Sequence, residues 1–243
     1  MMRTADPQNV ALFGELARDW WDPDGSSKLL HRINPARLRY IRDAAVAHFQ
    51  LDAHTRRALA GLAALDVGCG GGLVAEPLAR MGADVSGIDA GEDVIAVARE
   101  HARMQGLQID YRAGDVTALA KAMPARFDIV TCLEVVEHVS DVPEFLAALS
   151  GLLKPGGLLI FSTPNRTPLS WVVLIAGAER LAKLIPSGGH EWKHFLTPDE
   201  LTLKLANAGL RVQDISGLSW SPFKGFHVGS DVSVNYIGTA KPA

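Results

Sequence analysis

Five short predicted strands, most of them separated by helical patterns, recur between residues 62 and 163, and this alternation constrains the fold more than any other feature of the chain. The predicted strands cover residues 62–67, 84–89, 109–113, 127–133 and 158–163. Helices are predicted after the first strand to about residue 81, over 92–105 and over 142–153. Strands that alternate with helices form a parallel sheet with helices on both faces. The sequence therefore predicts a doubly wound, Rossmann-like α/β sheet.

The N-terminal region adds helices to this core. Residues 8–20 carry apolar side chains at helical spacing, and residues 22–26 form a turn. Asn34 followed by Pro35 is typical of an N-cap and a first helical residue, which predicts a second helix ending near residue 49. We expect residues 1–60 to form a helical cap.

The C-terminal region adds antiparallel strands. Thr197, Pro198 and Glu200 have the spacing of a capping box, which predicts a helix ending near Gly209. Strands over 210–216 and 232–239 are close enough in sequence to pair with each other. The expected architecture is a single domain over residues 1–243, with a seven-stranded, mostly parallel sheet and a helical insertion or lid over 164–196 after the fifth strand.

Composition excludes several classes of protein. A chain of 243 residues with 48% apolar residues can fill one large core. Its formal charge of −3 argues against a dedicated nucleic-acid binder. The two cysteines provide neither a disulfide framework nor a zinc-site spacing, and neither a signal peptide nor an apolar segment of about 18 residues is present. We therefore expect a cytoplasmic location.

A glycine cluster after the first strand predicts a nucleotide site. Gly68, Gly70 and Gly72 let backbone approach a ligand closely, a device that dinucleotide-binding domains also use. Their order differs from the dinucleotide fingerprint, and the carboxylate of Asp66 would repel a pyrophosphate. A phosphate-free, cationic ligand fits better, and S-adenosylmethionine (SAM) is such a ligand.

Two acids at later strand ends extend the predicted site. Asp89 ends the second strand, where a carboxylate can accept both ribose hydroxyls. Asp115 follows the third strand and is placed to approach the adenine amino group. For both residues, a turn or helix-cap role is the alternative.

At this point the chain resembles the class I SAM-dependent methyltransferases, through residues 62–163. It further resembles the ubiquinone-biosynthesis O-methyltransferase family over nearly its whole length, in segments that read WWDP, HRINPAR, LDVGCGGGL, EVVEHV, LKPGG, STPNR and DVSVNY. The resemblance implies SAM-dependent methylation of polyprenyl catechols and phenols, including 3-demethylubiquinol and 2-polyprenyl-6-hydroxyphenol, with a ubiquinone-biosynthesis complex as a further partner. It implies cofactor contacts at Arg37, Gly68, Asp89 and Leu133, to which the glycine pattern adds Gly70. Arg37 would pair with the carboxylate of the methionine moiety.

The acceptor chemistry is predicted at the end of the fourth strand. Glu134, Glu137 and His138 stand at the carboxyl edge of the sheet, where ligands bind in such folds. They form either a site for Mg²⁺ that chelates the catechol oxygens, or a loop in which His138 alone is the general base. His190 in the insertion is a second candidate base. Trp20 and Trp21 either line the quinol pocket or anchor the core.

The insertion suggests contact with a membrane. Residues 169–185 are too short to span a bilayer but have the amphipathic character of a surface helix. Residues 164–194 carry a net charge of +2, which suits an anionic membrane at the inner face of the cell membrane. A lid packed on its own domain is the alternative.

Three other functions remain open for the chain. They are a methyltransferase of a soluble small molecule, a nicotinamide oxidoreductase and a non-catalytic SAM-binding scaffold.

Overall fold

A computed structural model of the chain describes residues 19–173 and 192–243. Most of the predicted helix over 8–20, most of the surface helix over 169–185 and His190 lie outside these residues. The helices are α1 (Lys28–Phe49), α2 (Ala75–Arg80), α3 (Glu92–Met104), α4 (Val116–Ala122), α5 (Val142–Leu152) and α6 (Pro198–Asn207). The strands are β1 (Ala63–Val67), β2 (Asp84–Asp89), β3 (Ile109–Ala113), β4 (Phe127–Leu133), β5 (Leu153–Pro164), β6 (Leu210–Ser221), β7 (Gly225–Gly229) and β8 (Asn235–Pro242).

The eight strands found in the described residues form one sheet in the order β3-β2-β1-β4-β5-β8-β6-β7. Strands β1 to β5 are parallel, and β8, β6 and β7 continue the sheet in antiparallel pairs. The doubly wound class and the pairing of the two C-terminal strands are confirmed. The prediction of seven strands is wrong, because β7 adds an edge strand. Its glycine-bounded sequence GFHVG has little apolar alternation to indicate a strand.

Helices cover both faces of the sheet because side chains of the buried strands alternate between them. Leu65 and Val67 of β1 pack in the cluster that contains residues of α4, α5 and α6. Ala64 packs on the opposite face, in the cluster that contains residues of α1, α2 and α3. Each fully buried leucine contributes about 1.5–3 kcal/mol to this core. The core thereby holds the carboxyl ends of β1, β2, β4 and β5 at one rigid edge.

Helix α1 corrects the predicted N-cap at Asn34. The helix begins at Lys28, and Pro35 lies inside it. The Asn34 side chain is buried, and its Nδ2 donates to the carbonyl oxygen of Leu73 at 2.7 Å. A long-range hydrogen bond thus replaces the local cap that the sequence suggested.

The other boundaries follow from capping and pairing. The capping box of α6 is confirmed, since Thr197 Oγ1 accepts from the Glu200 N–H and Glu200 Oε2 accepts from the Thr197 N–H. Helix α4 is an element that the sequence analysis left out. Strands β5 and β6 are longer than predicted, because pairing with β4 and β7 extends them. Within the described ranges, no helix is long and apolar enough to cross a membrane.

Candidate active site

The candidate site lies where the chain reverses its direction of travel across the sheet. From β1 the chain adds β2 and β3 on one side, and then crosses to place β4 and β5 on the other. The loops after β1 and β4 therefore separate at the carboxyl edge and leave a crevice. The predicted cofactor and acceptor residues lie on these loops and on the neighbouring strand ends.

The glycine loop after β1 needs glycine for backbone and packing reasons together. Gly68, Gly70 and Gly72 have φ values of +70°, +49° and +97°, in the left-handed region that side chains disfavour. A Cβ atom at Gly68 would also lie 2.3 Å from Cγ2 of Val135, and one at Gly70 would lie 2.3 Å from Cζ2 of Trp20. The lack of side chains at these glycines therefore leaves room for Val135 and Trp20 as well as for any ligand.

Asp89 joins the end of β2 to this loop. Its Oδ2 accepts the N–H of Gly70 and its Oδ1 accepts the N–H of Gly91, both at 2.9 Å. Burial raises the pKa of Asp89, while the two backbone hydrogen bonds oppose that rise. Each carboxylate oxygen accepts more than one hydrogen bond. The arrangement thus orients the carboxylate and leaves lone pairs for sugar hydroxyls.

Asp66 lies below the loop as a buried carboxyl group. Only 3% of the residue is exposed, and Oδ1 accepts a hydrogen bond from Thr131 Oγ1 at 2.7 Å. Burial raises its pKa to about 7. Since the group is only partly ionised at neutral pH, its repulsion of a pyrophosphate is weaker than the sequence argument assumed.

Asp115 adopts the geometry of a helix cap. It is the N-cap of α4, and its Oδ1 accepts the N–H of Thr117 at 2.7 Å. This is the alternative that the sequence left open for Asp115. A contact with the adenine amino group stays a prediction.

A charged network joins α1 to three strand ends. Arg37 is buried, and its Nη2 lies 2.9 Å from Oε1 of Glu134. The same oxygen accepts from Ser162 Oγ at 2.6 Å, and Oε2 of Glu134 accepts from Asn235 Nδ2 at 2.9 Å. Glu134 has a φ of +57°, a strained value for a residue with a side chain. Three elements, α1, β5 and β8, thus hold its carboxylate in one orientation.

Glu137 and His138 lie in the 3₁₀ turn that follows this network. Glu137 is 4% exposed, and its Oε2 accepts from Thr163 Oγ1 at 2.9 Å. Its Oε1 has no hydrogen-bond partner in the described part of the chain and lies 4.0 Å from Nε2 of His138. Burial, and then the nearby charge of Glu134, raise the pKa of Glu137 well above its usual range.

These residues do not assemble a metal site as they are placed. Across residues 19–173 and 192–243, no group of three His, Cys, Asp or Glu side chains is arranged to hold a metal ion. Both carboxylate oxygens of Glu134 are already hydrogen-bonded to Arg37, Ser162 and Asn235. A cation bound by Glu134, Glu137 and His138 would have to displace these partners. Binding of Mg²⁺ there stays a prediction.

The structure brings the predicted site residues into two adjacent groups. Gly68, Gly70 and Asp89 form the loop after β1 and its support. Arg37, Glu134, Glu137 and His138 gather at the end of β4, which Leu133 terminates. The sequence did not predict the hydrogen-bond partners of Asp66, Glu134 and Glu137, which are Thr131, Ser162, Thr163 and Asn235. Three of them, Ser162, Thr163 and Asn235, lie in the STPNR and DVSVNY segments, which were the available signal.

The described start of the insertion is apolar and exposed. Leu169, Trp171, Val172 and Val173 are between 42% and 53% exposed. They follow β5 directly, and the sheet edge that carries the acids lies at the end of the same strand. The rest of the predicted surface helix lies within residues 174–191, which are not among the residues that the structure describes.

Comparison with known proteins shows the family to which the chain belongs. A family model described as a methyltransferase domain matches residues 65–161. A ubiquinone biosynthesis O-methyltransferase of Azorhizobium caulinodans is 46% identical over 241 residues, which are 99% of this chain and 95% of that protein. One of Ruegeria pomeroyi is 48% identical over 236 residues, which are 96% of this chain and 95% of that protein.

Solved structures share the fold. The magnesium protoporphyrin IX methyltransferase of Synechocystis PCC 6803 with bound SAH has a TM-score of 0.66 at 22% identity, covering 98% of this chain and all of that one. A SAM-dependent methyltransferase of Clostridium acetobutylicum has a TM-score of 0.63 at 15% identity, with 96% and 98% covered. At these identities the likeness concerns the fold alone.

Proposed function

Because this chain belongs to the family of ubiquinone biosynthesis O-methyltransferases, we propose that its sheet-edge site transfers a methyl group from SAM to a hydroxyl of a polyprenyl catechol or phenol. The acceptors in this proposal are 3-demethylubiquinol and 2-polyprenyl-6-hydroxyphenol. The observation that carries it is the contact between Arg37 and Glu134 at 2.9 Å, because it joins a proposed cofactor residue to the loop that carries Glu137 and His138, the residues proposed to handle the acceptor.

The cofactor half of the site consists of the glycine loop, Asp89 and Arg37. Asp89 is held by two backbone N–H groups with its oxygens facing the loop, which suits the ribose hydroxyls. Arg37 uses Nη2 on Glu134, while its buried Nε finds no acceptor among the described residues. That remaining donor suits the carboxylate of the methionine moiety. Gly68, Gly70, Leu133 and Asp115 complete the proposed contacts.

The acceptor half consists of Glu137 and His138. SAM supplies the electrophilic methyl group, and the protein has to align the acceptor oxygen and receive its proton. A phenol with a pKa near 10 is mostly neutral at pH 7, so a base speeds the reaction. Glu137 Oε1 and His138 Nε2 lie 4.0 Å apart, close enough for both to address one hydroxyl. Glu134 keeps Arg37 in place between the two halves.

The acceptor would enter from a membrane surface. A polyprenyl chain partitions into lipid, and the exposed side chains of Leu169, Trp171, Val172 and Val173 provide an apolar start to the segment over 169–185. We place the protein in the cytoplasm, bound peripherally to the inner face of the membrane through this segment. Other enzymes of ubiquinone synthesis are proposed partners there.

An assay with labelled SAM and a short-chain demethylubiquinol analogue tests the activity. The wild type is expected to methylate the analogue, and the double variant Glu137→Ala, His138→Ala to lose at least about a hundredfold in turnover, because proton transfer is removed. Its affinity for SAM, measured by calorimetry, should stay near that of the wild type. The exposed His54→Ala is the matched control and should keep full activity.

Four outcomes of this assay, run with and without a chelator, separate the alternatives. Full activity of the double variant would contradict the assignment of Glu137 and His138. Absence of turnover on any catechol despite SAM binding would favour the scaffold. Loss of activity with a chelator, restored by Mg²⁺, would support the metal, whereas indifference to the chelator would leave His138 as the base.

A further inference from the structure

An aromatic side chain from the N-terminal segment covers the glycine loop. A Cβ atom at Gly70 would lie 2.3 Å from Cζ2 of Trp20, and one at Gly71 would lie 2.3 Å from Cδ1 of the same indole. The six-membered part of the ring therefore lies against Gly70 and the five-membered part against Gly71. The two adjacent glycines make room for this ring.

The position of Trp20 is set by its neighbours in the chain. Trp21 Nε1 donates to the carbonyl oxygen of Gly71 at 2.9 Å. The Trp21 ring stacks on His101 with centroids 3.6 Å apart and planes at 11°. His31 Nε2 lies 2.9 Å from the carbonyl oxygen of Trp20. Contacts with the loop, α3 and α1 thus hold the two tryptophans against the glycine backbone.

The indole of Trp20 also reaches the corner that Asp89 forms. It packs with Leu73 and Val94 in one buried cluster. Val94 adjoins the Gly91 turn, where a Cβ atom would lie 3.1 Å from its Cγ2, and the Gly91 N–H donates to Asp89. Trp20 therefore packs against both the glycine loop and Val94, the neighbour of the turn that binds the carboxylate proposed to hold the ribose.

Trp20 carries a donor that the described protein leaves unused. The residue is 7% exposed, yet its Nε1 has no hydrogen-bond acceptor in residues 19–173 and 192–243. An indole N–H buried in this way is normally paired, because an unpaired buried donor is costly. A ligand beside the loop would supply the acceptor.

We propose that Trp20 is a cofactor-contacting residue, whose ring packs on Gly70 and Gly71 and forms one wall of the SAM site, and whose N–H donates to an oxygen of the bound cofactor. Trp21 is a positioning residue, which acts through the Gly71 carbonyl. This proposal rests on the SAM-binding part of the proposed function. It assigns to the WWDP segment a role in holding the cofactor rather than the quinol ring.

Calorimetry and tryptophan emission test the proposal on the full chain. The wild type is expected to bind SAM with a change in emission that arises from Trp20. Trp20→Ala should raise the Kd for SAM about tenfold or more, since it removes a large contact area and a hydrogen bond. Trp20→Phe keeps most of the ring, and should melt near the wild-type temperature but lose the emission change. Trp21→Phe should keep that change and raise the Kd by less.

The matched control is Trp220→Phe, at an exposed position on β6, which should leave both the Kd and the emission change at their wild-type values. A folded Trp20→Ala variant whose Kd for SAM is within about twofold of the wild-type value would overturn the proposal, because loss of the proposed contact should raise the Kd about tenfold. Full retention of the emission change in Trp20→Phe would also overturn it, and decides the matter if Trp20→Ala does not fold. Failure of the wild type to bind SAM would instead overturn the proposed function.

Discussion

The buried carboxyl group of Asp66 should make the stability of this protein fall as the pH rises. Its pKa is about 7 in the folded protein, against 3.8 for an ordinary aspartate, and burial is the largest cause. Between these two values the folded state binds more protons than the unfolded state. The free energy of unfolding therefore decreases as pH rises through this window and levels off above it. The shift of about three units corresponds to about 4 kcal/mol in total, of which about 3 kcal/mol falls between pH 5 and pH 8.

The substitution Asp66→Asn isolates this contribution. Asparagine has nearly the same shape and can still accept the hydrogen bond from Thr131, but it does not ionise. Chemical denaturation of both proteins at about pH 5 and about pH 8 gives four free energies of unfolding. Relative to the wild type, the free energy of unfolding of the variant should rise by about 3 kcal/mol from the lower to the higher pH. Asp93→Asn, which removes the same charge from an exposed position, should show no such gain. A difference between wild type and Asp66→Asn that is the same at both pH values would refute the reasoning.

Two further predictions concern the loop and the helix cap. Gly70→Ala should destabilise the protein by about 1–3 kcal/mol and abolish SAM binding, because a Cβ atom there adds a clash at 2.3 Å to a φ of +49°. Gly106 has a φ of +67° and open space around its Cα, so Gly106→Ala should lose less stability in a thermal melt, and that loss measures the backbone strain alone. An equal loss of stability in both variants would contradict the clash at Gly70. Asp115→Ala should cost about 1 kcal/mol through the lost cap of α4, whereas Asp115→Ser restores the cap without the carboxylate. If Asp115→Ser keeps the stability but weakens SAM binding in calorimetry, the adenine contact is supported, and wild-type binding would exclude it.

The strands and loops of the core could be predicted because their signals are local. Strands β2, β3 and β4 have the predicted bounds. The capping box of α6 is specified by two side chains three positions apart, Thr197 and Glu200. The glycine loop follows β1, as predicted, and its three glycines with positive φ lie there. These features depend on interactions between residues that are close together in the sequence, so the sequence is enough to predict them.

Tertiary contacts decided the rest. Asn34 is a residue type that often caps a helix, but its side chain donates to the carbonyl oxygen of Leu73, 39 positions away. Helix α1 therefore begins earlier, at Lys28. Edge strand β7 forms because β6 offers it a pairing partner, although its own sequence is weakly patterned.

The candidate site shows the same division. The sequence by itself determined which acids and glycines stand at the strand ends, and the parallel topology then brought those ends to one edge. Only the tertiary structure decided that Glu134 is tied to Arg37 and Asn235, that Asp66 is buried enough to stay partly protonated, and that Trp20 covers the glycine loop. Each of these depends on desolvation or on contact between residues far apart in the chain, and neither quantity can be read from neighbouring positions.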